Sequence, residues 1–407
     1  MKQRWDIFCN VVDNFGDIGV CWRLARQLTL EHGLAVRLWV DDLASFARIA
    51  PDADPVSAQQ WLRGVDVCHW RQPFAGVEPA DVVIEAFACQ LPEAYIAAMA
   101  VLPQRPLWIN LEYLSAENWV TGCHRLPSPH PRLPLVKHFF FPGFVADTGG
   151  LLREQGLLPA RSAFDNVAQS EFWQRLGVPA RRAGELRISL FCYGSSAPLR
   201  DLFAAWAAST VPVSVLLPVP QGPAVDAVAD FFGIEFPAAG EVLQSGQLTV
   251  RLIPFLEQTE YDKLLWACDI NFVRGEDSFV RAQWAARPFI WQIYPQADNA
   301  HQVKLNAFLD LYTAGMPQDM AAAARALWNS WNGAGQLGNT WPAFAAHQAA
   351  LTQYGEKWAE QLYHLGDLAS NLSTPNRNVR FALFPPRYKV ARCPSWADLP
   401  TGMFLQG

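Results

Sequence analysis

The segment Asp13-Asn14-Phe15-Gly16-Asp17-Ile18-Gly19 puts two carboxylates and two glycines into seven residues. Before it, residues 5–12 are apolar and β-branched and predict a buried strand. After it, Cys21, Leu24, Ala25 and Leu28 recur at helical spacing and predict a helix with one apolar face. The glycines let backbone come close to a ligand, but Gly16 and Gly19 do not make the GxGxxG of a dinucleotide site. Asp13 and Asp17 would repel a pyrophosphate. They suit a cationic or hydroxyl-bearing acceptor that needs a base. Asp17 alone would also serve as a helix N-cap; two acids on the carboxyl edge of one sheet favour chemistry.

A second strand–turn–helix segment, Val273-Arg274-Gly275-Glu276-Asp277-Ser278-Phe279, has the opposite polarity. Helix N-terminal amides, the Ser278 hydroxyl and the Arg274 guanidinium attract an anion such as a phosphate. Glu276 is placed to accept from ribose hydroxyls. Asp277 or Ser278 taken singly reads as a cap; together the four polar groups point to a nucleotide. Phe191 and Tyr193 end a neighbouring strand. Phe255 and Gln258 follow another, where an aromatic ring could stack on a base and an amide read its edge.

These segments need a scaffold that brings strand ends together. Strands are expected at 34–40, 65–70, 81–86 and 106–111, with helices such as 91–100 between them. Residues 123–185 are less regular, with a helical piece near 167–176. Alternation restarts with strands at 186–193, 213–217, 248–253, 269–273 and 289–293 and helices at 197–208, 223–232, 259–267 and 279–286. Helices are then expected over 299–313, 318–331 and 341–369. This is an α/β pattern of two Rossmann-like domains, each a mostly parallel sheet covered on both faces. We place the first over 1–184, with a helix near 355–370 that could pack back on it, and the second over 185–354. Ligands bind beyond the carboxyl ends of such strands, so a ligand belongs in the cleft between the domains. From residue 371 the chain becomes basic, with Arg377, Arg380, Arg387, Lys389 and Arg392, and reads as a tail over 371–407.

The 407 residues carry 38 acidic and 32 basic side chains, a formal charge of −6 that argues against holding nucleic acid by bulk charge. The start does not read as a secretory signal, and no stretch reaches the ~18–20 apolar residues of a membrane span. Eight scattered cysteines without a CxxC pair suit a reduced cytoplasm, and His69 and His124 lack a partner pair at zinc-ligand spacing. Seventeen tryptophans are a surplus. Trp5, Trp22, Trp108, Trp284 and Trp291 fall on strands and helices around the two segments and read as scaffold.

The strings VVDNFGDIGVCWRLARQL (11–28) and NFVRGEDSFVRAQWAARPFIWQIYPQ (271–296) closely resemble the bacterial elongation factor P arginine rhamnosyltransferases. DVVIEAFACQLPE (81–93), INLEYLSAE (109–117) and PFLEQTEYDKLLWACD (254–269) are similar too, so the resemblance covers most of 1–365. It implies an inverting glycosyltransferase of GT-B architecture that moves rhamnose from dTDP-β-L-rhamnose to an arginine of elongation factor P, with no metal or other cofactor. It implies that Asp13 and Asp17 serve the acceptor, with Asp17 as general base. Tyr193, Phe255, Gln258, Arg274, Glu276, Asp277 and Ser278 would hold the donor, Phe255 on thymine and Arg274, Ser278 and Tyr193 at the diphosphate. Asn14, Phe15, Gly16 and Phe191 would support them. The triplet Asp52-Ala53-Asp54 resembles the DxD metal motif of another glycosyltransferase fold, but it lies between two prolines and reads as a solvated turn. Two other readings stay open: a GT-B transferase with another acceptor, and a protein that grips elongation factor P without catalysis.

Overall fold

The computed structural model describes residues 2–13, 15–74, 76–193, 199–218, 222–235, 237–295, 299–334 and 336–373. Two sheets organise them. The first contains β1 (Arg4–Cys9), β2 (Ala35–Val40), β3 (Gln59–Leu62), β4 (Val65–His69), β5 (Val82–Ala86), β6 (Leu107–Leu111), β7 (Pro127–Pro129) and β8 (Val136–Phe140). Their order across the sheet is β3-β4-β2-β1-β5-β6-β8-β7. The second contains β9 (Leu186–Leu190), β10 (Val213–Pro218), β11 (Val242–Ser245), β12 (Leu248–Ile253), β13 (Ile270–Arg274) and β14 (Phe289–Gln292), in the order β11-β12-β10-β9-β13-β14.

Central pairings are parallel, as runs such as VVIEA and VSVLLP require: every side chain in them is buried, so both faces must be covered. The edge strands β3, β7 and β11 are antiparallel to their neighbours. They escape a hydropathy reading because they are short and half-exposed, and β7 is Pro-Ser-Pro.

Chain order reverses at one place in each sheet. β1 lies between β2 and β5, and β9 lies between β10 and β13. The crevices beyond these strand ends are where an open α/β sheet receives ligands. The chain leaving β1 at Asn10–Asp13 lies at the first of them. The chain leaving β9 at Phe191–Tyr193, and the turn leaving β13, sit together at the second.

The helix Asn166–Arg175 lies within the segment assigned to the first domain, but its Phe172 and Trp173 pack on Leu216, Ile253 and Leu264 of the second. The helix expected over 341–369 is three: Leu337–Ala346, Gln348–Tyr363 and Leu368–Ser373. The first must turn Trp341 onto Trp206, at 5.4 Å between rings, while the second buries Leu351, Trp358 and Leu362 on a different side. Gly366 then turns the chain at φ +80°, and the amide of Leu368 bonds the Leu151 carbonyl at 3.0 Å, returning it to the first domain. The tryptophans read as scaffold are indeed buried, Trp284 and Trp22 to 1% exposure or less. The basic tail beyond Ser373 lies outside the described residues.

Candidate active site

Asp17 stands in the first turn of the helix Gly16–Leu30. It does not cap that helix. Its Oδ2 turns back and accepts the amides of Val12 and Asp13, both at 2.9 Å, fixing the loop that leaves β1. The Tyr113 hydroxyl faces the same carboxylate as a donor. The group is 1% exposed. Burial raises its pKa from 3.8 to about 6, against the pull of the two amides and Tyr113. An acid poised there is ionised at neutral pH and close enough in basicity to accept a proton.

Asp13 projects across the cleft. Its Oδ2 accepts the Tyr193 hydroxyl at 2.6 Å, and burial raises its pKa while Tyr193 and Arg274 oppose the rise. Two glycines crowd the same oxygen. A Cβ on Gly16 would lie 2.6 Å from Asp13 Oδ2, and so would one on Gly275. The close approach that the glycines permit is therefore made first by Asp13 itself. Asn14 lies outside the described residues.

On the other wall, Arg274 ends β13 with its guanidinium over the rings of Phe191 at 4.4 Å and Tyr193 at 4.7 Å, and reaches the Cys192 carbonyl at 3.4 Å. Aromatic faces and a carbonyl hold it, so its charge remains for an anion. Gly275 takes φ +62°, a left-handed turn open to glycine, and Trp291 Nε1 clamps its carbonyl at 2.8 Å. The helix Asp277–Ala285 follows, starting two residues earlier than expected, with no side-chain cap on its N-terminal amides. Ser278 Oγ donates to the Arg274 carbonyl. Phe255 lies 4.9 Å from Phe15 and 6.4 Å from Phe191. Asp13, Phe15, Gly16, Phe191, Phe255, Tyr261, Arg274, Gly275 and Ser278 line a cleft that joins the two walls.

Besides Tyr193 and Ser278, three more of the expected donor residues have protein partners in this arrangement. Glu276 accepts the amide of Leu114, in the first domain, at 2.9 Å. Burial raises its pKa to about 7, opposed by Lys304. Asp277 Oδ1 accepts from Arg23 Nε at 2.8 Å. Gln258 Nε2 bonds the Gly19 carbonyl at 2.9 Å and Asp277 Oδ2 at 3.1 Å. All three bridge the domains, and Gln258 and Asp277 also line the cleft. Asp52 and Asp54 are exposed, and Asp54 holds only its own turn through the Val56 amide at 3.0 Å.

Sequence reasoning missed Arg23, Tyr113 and Lys304. Lys304 stands 5.4 Å from the Tyr113 ring and faces Glu276, Glu117 and Glu112. Burial raises Glu112 to about 7. Arg23 and Lys304 lie within helices, and Tyr113, although it follows β6, meets Asp17 and Lys304 only through the fold.

A family model described as "Elongation-Factor P (EF-P) rhamnosyltransferase EarP" matches residues 5–375. The chain belongs to this family. A protein-arginine rhamnosyltransferase of Pseudomonas putida is 52% identical over 380 residues, 93% of this chain and 100% of that protein. One from Neisseria meningitidis serogroup B is 38% identical, over 88% of this chain and 92% of its own. A solved structure described as the structural basis for EarP-mediated arginine glycosylation of translation elongation factor EF-P superposes with a TM-score of 0.65 at 36% identity, covering 91% of this chain and 97% of that one. A glycosyltransferase from Rickettsia africae, 8% identical, shares the fold at a TM-score of 0.51 over 91% of this chain and 96% of its own. The chain thus has the GT-B architecture, and its two facing sheets are the two halves of that fold.

Proposed function

We propose that this EarP-family chain transfers L-rhamnose from dTDP-β-L-rhamnose to an arginine side chain of elongation factor P, by a single inverting displacement and without a metal, in the cytoplasm. The observation that carries the reading is the division of the cleft. Half-buried Asp13 lines one wall, with the buried Asp17 bonded to its amide, and Arg274 and a helix N-terminus without a side-chain cap stand on the other.

Arginine is a poor nucleophile because its guanidinium keeps its proton, with a pKa above ~12, and delocalises its lone pair. Asp13 and Asp17 can grip the planar fork through charge-assisted hydrogen bonds and aim one nitrogen at the sugar carbon. As the C–N bond forms, that nitrogen becomes acidic and Asp17 takes its proton. On the opposite face the C–O bond to dTDP breaks, and Arg274 and the helix amides receive the diphosphate charge, joined by Ser278 once its hydroxyl turns from the Arg274 carbonyl. One displacement with one base inverts the sugar carbon and needs no enzyme nucleophile. Phe255 stacks on thymine and Tyr193 stands on the donor side, while Gln258, Glu276 and Asp277, held by Gly19, Leu114 and Arg23, shape the wall behind it.

Incubating the chain with elongation factor P and dTDP-L-rhamnose tests this directly. Mass spectrometry should find one deoxyhexose increment on a single arginine of the factor. An unmodified factor that nonetheless co-purifies with the chain would favour a binding protein, and transfer to a small sugar in its place would favour another acceptor.

A further inference from the structure

The helix that carries Asp17 also carries Arg23, six residues on, or ~9 Å along the axis. Arg23 is 1% exposed and points out of its own domain. Its Nε donates to Asp277 Oδ1 at 2.8 Å, and its Nη1 and Nη2 fork the two oxygens of Asp262 at 3.1 and 3.0 Å. Nη2 also reaches the Gln258 carbonyl at 3.2 Å. Asp262 accepts a second fork from Arg281 at 2.9 and 2.7 Å, and Arg281 holds Glu154 at 2.7 Å.

A buried ion network is weak evidence for stability; fixing one arrangement is its better attested use. The arrangement fixed here lies between the walls of the cleft. Asp277 is the first residue of a helix whose N-terminus lines the cleft, so an unpaired carboxylate there would oppose a diphosphate bound at that N-terminus. Arg23 holds and neutralises that carboxylate, with Gln258 Nε2 on its other oxygen. The helices touch at the same point: a Cβ on Gly19 would come within 3.0 Å of Asp277 Oδ2.

We propose that Arg23 is a positioning residue for the transfer. It cancels the Asp277 charge at the diphosphate seat and sets the distance between the Asp17 turn and the donor-side helix. The inference rests on the donor reading above. Arg281 provides the comparison, since it shares the network and acts on Asp277 only at longer range, its bonds going to Asp262 and Glu154.

The test is calorimetry with dTDP, combined with kcat at saturating donor. Arg23→Gln should weaken dTDP binding about tenfold and lower kcat as well. Arg281→Gln should lower Tm comparably yet keep dTDP affinity within about twofold. Adding Asp277→Asn to Arg23→Gln should restore affinity to within about threefold while kcat stays low, because the charge conflict is gone but the helix spacing is not repaired. Arg23→Lys retains the charge without the fork and serves if the glutamine variant does not fold. It should bind dTDP nearly normally and turn over slowly. Unchanged binding and turnover in both Arg23 variants would overturn the proposal, as would equal weakening by Arg281→Gln or no restoration by Asp277→Asn. A wild-type chain that binds no dTDP would remove the donor reading and this inference together; normal wild-type binding with an indifferent Arg23 removes this inference alone.

Discussion

Tyr193 donates its hydroxyl to Asp13 Oδ2 at 2.6 Å, a bond between residues 180 apart in sequence that spans the cleft from one domain to the other. Under the proposed reaction each partner has a ligand of its own, the diphosphate for Tyr193 and the arginine for Asp13. Each must leave the other to take it. The bond therefore couples the two halves of the site.

Tyr193→Phe removes it and keeps the ring on which Arg274 rests. The hydrogen bond is charge-assisted, of a kind worth about 1.5–3 kcal/mol, but its loss is offset because dTDP no longer has to break it. We expect dTDP binding to weaken only about three- to tenfold and transfer to fall without vanishing, since both acids remain. Calorimetry and initial rates would check this. Unchanged dTDP affinity would leave the hydroxyl with an interdomain role alone.

Asp17 sets a pH dependence with two signs. Its folded-state pKa, about 6, is raised from 3.8, so its contribution to stability is fully present below pH 3.8 and lost as pH rises through about 6. Transfer runs the other way, because the base must be ionised: kcat/KM should climb to half its plateau near pH 6. Asp17→Asn should cut transfer by about 10²–10⁴-fold while keeping or raising Tm at pH 8, where the buried charge is most costly. A variant that melts early at pH 8, or a rate that is flat from pH 5 to pH 8 within ~20%, would count against Asp17 as the base.

Gly275 combines φ +62° with a neighbour that would sit 2.6 Å from an added Cβ. Gly275→Ala therefore carries a left-handed cost of about 1–2 kcal/mol and drives the methyl into Asp13 Oδ2. We expect Asp13 to be displaced, the Tyr193 bond to break, and transfer to be lost with a Tm decrease of a few degrees. Near-normal rates would mean that Asp13 can move away at no cost to the reaction.

The parts legible in the sequence were those whose chemistry sits where a strand ends. An apolar run followed by Asp13 and Asp17, and another followed by Arg274 to Ser278, announce both walls, and the structure brings Asp13, Arg274, Asp277 and Ser278 to one cleft. What stayed hidden depends on distant partners. Arg23 looks like a solvent-facing residue of an amphipathic helix until Asp262 and Asp277, some 240 to 250 residues later, arrive against it. Tyr113 and Lys304 are illegible for the same reason. Glu276, Asp277 and Gln258 were visible as polar residues near a site, but their bonds to Leu114, Arg23 and Gly19 across the interface could not be inferred from spacing. Edge strands β3, β7 and β11 carry too little buried area to imprint a pattern.

Phe255 allows the base and the phosphates of the donor to be separated. Its ring lies 4.9 Å from Phe15 and lines the cleft, while the anion-seeking groups Arg274 and Ser278 belong to a different strand and turn. Stacking of a nucleobase on an aromatic ring is worth about 1–3 kcal/mol, so Phe255→Ala should weaken dTDP binding by roughly 10- to 100-fold. Inorganic pyrophosphate has no base to stack and should bind the variant as it binds the wild type. If both ligands weaken together, the substitution has disturbed the Phe15 contact and with it the cleft. If neither weakens, thymine lies elsewhere.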